Sequence, residues 1–144
     1  MQSLALLLLG AVLVAAVTAH GPPAEVMQTI MTCKTNFPIE EASIQNLHRK
    51  GMLLDENDEN SRCYVQCMMT KIGSMVDSSG NFDVSAAKQN LQKHPVLFGP
   101  PRSPRPSKEK IQEVVDQCSQ TAAGEGKCMT NYKIWTCCYS KFHA

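Results

Sequence analysis

Apolar residues recur three or four positions apart through most of the chain, a pattern that predicts amphipathic helices rather than strands. The first such stretch, 24–36, places Val26 and Ile30 on one face. A second, short helix is predicted between Pro38 and Gly51, because proline favours the start of a helix and glycine its end.

Four more helices are predicted further along the chain, and they cover 61–75, 84–93, 108–123 and 127–138. Asp83 and Ser107 are typical N-cap residues for two of them. Prolines are concentrated in 95–106 and exclude a helix there, so this segment is predicted as an extended loop. No window shows the clean alternation of a strand. The sequence therefore predicts an all-α domain.

The amino-terminal segment has the pattern of a secretory signal peptide. Leu4 to Val17 is an apolar run too short for a typical membrane span, and the small residue Ala19 fits a cleavage site before His20. We expect a signal peptide over 1–19 and a working domain over 20–144, secreted and without stable insertion in a membrane. The alternative is an uncleaved anchor.

Composition and charge narrow the function. The chain has 14 Lys and Arg against 13 Asp and Glu, a net charge of +1, which argues against a nucleic-acid partner. No nucleophile elbow, zinc-protease helix or phosphate-binding loop is present in the sequence. We therefore expect a protein that is not an enzyme and that needs no cofactor.

Seven cysteines suit disulfide bonds in an oxidising compartment, and they lie at positions 33, 63, 67, 118, 128, 137 and 138. Six cysteines allow fifteen pairings, which spacing alone does not resolve. Cys63 and Cys67 are one helical turn apart, so each is better placed to bond a different neighbouring helix. A structural metal site at these two thiols is the alternative.

The cysteine spacing and two short segments resemble the insect odorant-binding protein family, which includes the pheromone-binding proteins. The segments are Cys63 to Cys67, Cys-Tyr-Val-Gln-Cys, and Gly80 to Val84, Gly-Asn-Phe-Asp-Val. The resemblance runs from Cys33 to Cys137. It implies a six-helix, disulfide-stapled domain with an internal apolar cavity. It also implies the disulfides Cys33–Cys67, Cys63–Cys128 and Cys118–Cys137.

By this resemblance we expect a carrier of small hydrophobic molecules such as odorants or pheromones, working in sensillar lymph. Its partners would be the ligand and an olfactory receptor, and the carrier would be a monomer or a weak homodimer. One alternative is a carrier of the same fold in haemolymph or reproductive secretions. Another is a secreted signalling or structural protein with a closed core.

The predicted ligand pocket is lined by the apolar faces of the later helices. Its predicted members are Met68, Met69, Ile72, Met75, Val76, Val84, Ala87, Leu91, Ile111, Val114, Val115, Tyr132, Trp135 and Phe142. The methionines suit flexible ligands, and Tyr132 offers a hydrogen bond to a ligand oxygen. Ordinary core packing is the alternative for each of them.

One cysteine and two histidines belong neither to the implied disulfides nor to the predicted pocket. Cys138 has no implied partner, and we expect a buried, inert thiol; the alternatives are a bond between two chains or replacement of Cys137 in its disulfide. His94 and His143 are candidates for a pH switch of ligand release, with exposed histidines of no function as the alternative.

Overall fold

A computed structural model describes residues 24–93, 98, 104–121 and 124–144. These residues form six helices: α1 (Ala24–Asn36), α2 (Glu41–Lys50), α3 (Glu59–Lys71), α4 (Val84–Lys93), α5 (Lys108–Thr121) and α6 (Lys127–Phe142). The prediction of an all-α, six-helix domain is confirmed. The predicted signal peptide and most of the proline-rich segment, with His94, lie outside the described residues.

Helix ends follow local chemistry that is visible in the sequence. Gly51 ends α2 with a φ of 72°, the left-handed conformation that glycine adopts without strain. The Asp83 carboxylate accepts a hydrogen bond from the Ala86 amide over 2.9 Å at the start of α4. The Ser107 hydroxyl accepts one from the Lys110 amide over 3.1 Å at the start of α5. Both predicted caps are confirmed.

The bounds of two helices differ from the prediction. α3 ends at Lys71 rather than at residue 75, because the chain turns at Ser74, which has a φ of 46°. The Met75 amide then donates to the Met69 carbonyl instead of continuing the helix. α6 runs past residue 138 to Phe142, since packing of Tyr139 against α2 extends it by a turn.

α3 is the central helix, and it packs against α1 and α6, while α5 packs against α4 and α6. The disulfides follow these contacts. Cys33–Cys67 joins α1 to α3, Cys63–Cys128 joins α3 to α6, and Cys118–Cys137 joins α5 to α6. These are the three pairs that the resemblance implies. Since both thiols of α3 are oxidised, the alternative of a metal site there is wrong.

None of the six helices α1 to α6 in the described residues is both long and apolar enough to cross a membrane. The described residues likewise contain no cluster of histidine, cysteine and acidic side chains suited to a metal ion.

Candidate ligand-binding site

A narrow apolar pocket lies between α1, α2, α3 and α6, and its volume is about 60 Å³. Its walls are formed by Val26, Ile30, Leu47, His48, Tyr64, Met68, Ile72 and Trp135. With His48 neutral, none of these side chains carries a charge. The pocket therefore suits an uncharged apolar molecule.

The position of the pocket follows from the pattern of α3. Tyr64, Met68 and Ile72 are four residues apart, so they form one stripe along the helix. The Cys33–Cys67 disulfide holds α1 against α3. As a result, Val26 and Ile30 of α1 face the same space as that stripe.

Two buried polar atoms in the pocket walls have no hydrogen-bond partner among the described residues: the Tyr64 hydroxyl and the Trp135 indole nitrogen. Tyr64 is 1% exposed and Trp135 is 3% exposed. Burying a polar group without a partner costs about 1–3 kcal/mol. Folded proteins pair nearly all such groups, so two unpaired donors in one pocket are an unusual feature.

Two other buried side chains have an unpaired atom, but each is anchored by another of its atoms. Arg62 donates from Nη1 to the Glu56 carbonyl over 2.8 Å. Asn131 donates from its amide to the Gln66 side-chain oxygen over 2.8 Å. Tyr64 and Trp135 have a single polar atom each and therefore lack any such anchor.

The electrostatics of the walls favour neutral forms. Burial, with a smaller contribution from the charge of Glu41, raises the pKa of Tyr64 to about 12, so its hydroxyl keeps its proton at neutral pH. His48 lies at the rim, where partial removal of water lowers its pKa below 6.5 and favours the neutral imidazole.

The structure brings three of the predicted ligand residues to this pocket: Met68, Ile72 and Trp135. The other predicted residues belong to the hydrophobic core or pack against it, and they are Met69, Met75, Val76, Val84, Ala87, Leu91, Ile111, Val114, Val115, Tyr132 and Phe142. The stripes of α4 and α5 contribute no residue to the walls of this pocket. Their assignment to a ligand site stays a prediction.

Tyr132 is placed differently from the prediction. Its hydroxyl donates to the Glu56 carboxylate over 2.7 Å and accepts from the Leu53 amide over 2.9 Å. Burial is the main cause of its raised pKa, followed by the bond to Glu56. Both bonds hold the segment between α2 and α3, and the role of this hydroxyl towards a ligand stays a prediction.

Sequence reasoning missed five wall residues, and these are Val26, Ile30, Leu47, His48 and Tyr64. The implied Cys33–Cys67 pair was a usable signal for two of them. A disulfide between the first and third predicted helices places the apolar face of the first against the third. The spacing of Tyr64 from Met68 and Ile72 was a usable signal for its position, but its unpaired hydroxyl shows only when its surroundings are known.

The structure places the seventh cysteine and one of the two candidate switch histidines. Cys138 is a free thiol that is 1% exposed, and burial raises its pKa to about 12, so it is a poor nucleophile. His143 stacks on Tyr139 with ring centroids 4.2 Å apart and contacts the Phe98 carbonyl. The other switch candidate, His94, lies outside the described residues.

Two wider clefts are open to solvent and have charged residues in their walls. One, of about 500 Å³, includes Glu40, Asp55 and Asp58. The other, of about 300 Å³, includes Lys88 and Lys108. Size alone would favour them, but their walls carry charged side chains, whereas the walls of the pocket at Tyr64 are apolar and offer more favourable burial for an apolar ligand.

A family model and the solved structures described below both relate this chain to odorant- and pheromone-binding proteins. The model of the PBP/GOBP family matches residues 22–141. Among solved structures, an odorant-binding protein from Drosophila melanogaster has a TM-score of 0.63 and 18% identity, with 83% of this chain and 91% of that chain covered. A sequence comparison with curated proteins finds no match.

Two further structures share the fold. An odorant-binding protein from Locusta migratoria gives a TM-score of 0.59 at 17% identity, covering 81% of this chain and 77% of that one. Pheromone-binding protein 3 from Epiphyas postvittana gives a TM-score of 0.59 at 21% identity, covering 81% of this chain and 95% of that one. The helices and disulfides thus define a small-ligand carrier fold of the odorant-binding type.

The model of the PBP/GOBP family matches most of the sequence, so the chain belongs to this family. The resemblance noted from the cysteine spacing is confirmed. This is a family of binding proteins and not of enzymes.

Proposed function

We propose that this protein carries small hydrophobic molecules and that the pocket between α1, α2, α3 and α6 receives them. The observation that supports this most strongly is the pocket's neutral, apolar wall with two donors left unpaired. Transfer of apolar surface from water contributes about 25 cal/mol per Å². That contribution drives binding, and the polar atoms orient the ligand.

The pocket adapts to its occupant through soft and mobile side chains. At about 60 Å³ it holds only part of an odorant-sized molecule. Met68 forms one wall, and an unbranched thioether side chain changes rotamer easily. Ile30 and Ile72 are only half-buried and lie on the outer side of the core. Binding therefore widens the pocket by moving these side chains.

An olfactory role is the specific form of the proposal. The family match and the names of the three structural neighbours support odorants or pheromones as the ligand class. On this account the protein carries such a molecule through aqueous lymph towards a receptor. Expression in sensilla tests that role against one in haemolymph or reproductive secretions.

Export is the second part of the proposal. We propose that residues 1–19 are removed as a signal peptide and that the mature chain begins at His20. Three disulfides support an oxidising, extracellular destination. Amino-terminal sequencing of the protein secreted by insect cells tests this. A secreted protein that begins at His20 is expected, and one retained in the membrane fraction would contradict it.

Binding is tested with an apolar naphthylamine probe whose emission rises when it leaves water. The variant Ile30→Trp puts an indole into the pocket from a half-buried position, and we expect probe affinity to fall about tenfold, or 1.4 kcal/mol. The matched control is Met31→Trp, the next residue of α1, which is 66% exposed and outside the pocket walls. The control is expected to bind the probe as the wild type does.

The probe measurements can also contradict the proposed carrier function. A wild-type protein that binds no apolar probe has a closed core and is not a carrier. Unchanged affinity in Ile30→Trp would show that the probe binds elsewhere, and an equal loss in Ile30→Trp and Met31→Trp would show that the loss is not specific to the pocket. Far-ultraviolet circular dichroism verifies that both variants keep the helical fold.

A further inference from the structure

The unpaired atoms of the pocket are both hydrogen-bond donors. The Trp135 indole nitrogen can only donate, and the Tyr64 hydroxyl can donate or accept. Neither has a partner among the described residues, and both side chains line the same pocket. An occupant that leaves them unpaired keeps the cost of their burial, whereas one that accepts from them removes it.

We propose that the pocket selects molecules bearing a carbonyl oxygen, such as aldehydes, ketones and esters, over hydrocarbons of the same shape, with Tyr64 and Trp135 as the donors. A carbonyl oxygen has two lone pairs and no proton, so it accepts two hydrogen bonds and leaves no donor of its own unpaired. This inference rests on the proposed carrier function and adds the chemical class of the ligand.

Water does not remove this preference. The pocket volume of about 60 Å³ is enough for a water molecule, and water can accept from both donors. A ligand that displaces such a water must reproduce its hydrogen bonds or lose affinity. A carbonyl group reproduces them, and a hydrocarbon does not.

The donors are also available under physiological conditions. With its pKa raised to about 12, Tyr64 remains protonated and able to donate. Of the other wall residues, Val26, Ile30 and Leu47 have apolar side chains, and the neutral His48 imidazole forms no hydrogen bond with either donor. The ligand oxygen is therefore the partner that both donors lack.

The test compares two molecules of nearly identical shape, acetophenone and α-methylstyrene, in which a methylene group replaces the carbonyl oxygen. Their affinities for the mature, oxidised protein are measured by displacement of the naphthylamine probe. We expect acetophenone to bind about tenfold more tightly, the ratio typical of one or two net hydrogen bonds. In Tyr64→Phe the ratio should fall to about threefold, with α-methylstyrene bound as well as before or better.

The matched control is Tyr139→Phe, which makes the same chemical change. The Tyr139 hydroxyl is held by the backbone carbonyls of Arg49, over 2.7 Å, and His48, over 3.1 Å, and Tyr139 is not part of the pocket walls. Its loss should leave the acetophenone preference at the wild-type value. Trp135→Phe is a second variant, in which the same fall in the acetophenone preference is expected. Because the Trp135 ring packs on Phe98 with ring centroids 4.9 Å apart, this variant also changes the affinity for both molecules.

The outcomes separate this inference from the carrier function. A tenfold preference that falls in Tyr64→Phe and persists in Tyr139→Phe supports it. Equal binding of the two molecules by the wild type, or an unchanged preference in Tyr64→Phe, overturns it while leaving the carrier function intact. Failure of both molecules and of the probe to bind overturns the carrier function itself.

Discussion

Two tyrosines on neighbouring helices have opposite surroundings. Tyr132 on α6 is 2% exposed, and its hydroxyl bonds to both Glu56 and the Leu53 amide. Tyr64 on α3 is 1% exposed, and the described residues give its hydroxyl no partner. Burial raises the pKa of both. The two positions cost the fold similar desolvation, but hydrogen bonds offset that cost only at Tyr132.

The contrast separates two sides of the α3–α6 interface: a stabilised side around Tyr132, and a binding side, so named for the ligand pocket that we propose beside Tyr64. On the stabilised side, the Cys63–Cys128 disulfide and the two hydrogen bonds of the Tyr132 hydroxyl hold the chain in place. On the binding side, an apolar pocket carries unpaired donors. Unpaired buried groups lower the stability of a protein, so each one in a folded structure calls for an explanation, and a ligand acceptor is the one that we propose here. The predictions below test this division, from the largest expected effect to the smallest.

The largest effect is expected from the disulfide on the stabilised side. The double variant Cys63→Ser, Cys128→Ser opens a loop with a sequence separation of 65. Its free energy of unfolding should fall by about 4 kcal/mol, because the unfolded chain gains conformational freedom. Urea denaturation of the purified proteins measures this.

The shorter disulfide provides the comparison. Cys118–Cys137 has a sequence separation of 19, so its removal should cost about 1 kcal/mol less on the same loop-length dependence. The variant is Cys118→Ser, Cys137→Ser, and the buried Cys138 is kept so that no further core position is changed. A larger loss from this shorter loop would contradict the ordering.

The second effect is expected at Tyr132 itself. Tyr132→Phe removes the acceptor of the buried Leu53 amide and should lower the free energy of unfolding by about 2 kcal/mol, the cost of an unpaired buried donor plus a lost bond. The same urea titration measures it. A change below about 0.5 kcal/mol, the range of neutral surface substitutions, would show that this network does not stabilise the fold.

The third effect has the opposite sign. Tyr64→Phe removes a buried hydroxyl that has no partner among the described residues, so the ligand-free protein should gain about 1 kcal/mol in free energy of unfolding. Paired with Tyr132→Phe, it is the same chemical change at two buried sites. If both variants lose stability equally, the division into stabilised and binding sides is wrong.

The smallest effect concerns pH at the rim of the pocket. Partial burial lowers the pKa of His48 in the folded state below its ordinary 6.5. The unfolded chain therefore binds a proton more readily, and folding stability falls as the pH drops below 6.5 towards the lowered value. We expect His48→Gln to lose less stability than the wild type between pH 7.5 and pH 5. An identical loss in both would contradict the shift.

Local signals in the sequence accounted for most of the fold. The side chains of Asp83 and Ser107 cap helices that begin where they were predicted, because capping depends on neighbours in the chain. The end of α3 was misplaced, since the turn at Ser74 depends on contacts from elsewhere. Asn90, for example, donates to the Gly73 carbonyl over 2.6 Å.

The site was predictable only in part. Met68, Ile72 and Trp135 line the pocket, in agreement with apolar stripes that indicate burial, and their contact with a ligand stays a prediction. Periodicity does not distinguish a pocket wall from the packed core, so the stripes of α4 and α5 were given the same role. The contrast between Tyr64 and Tyr132 depends on whether a partner exists across the fold, which single-sequence reasoning does not reveal.

Trp135 offers the most direct test of the central claim, that the pocket beside Tyr64 receives the ligand. The chain has 1 tryptophan, so the indole N–H gives one resonance in a proton–nitrogen correlation spectrum. On saturation with acetophenone, this resonance is expected to shift as the indole nitrogen donates to the carbonyl oxygen, and α-methylstyrene should move it much less. Tight binding of acetophenone with an unmoved indole resonance would contradict the account.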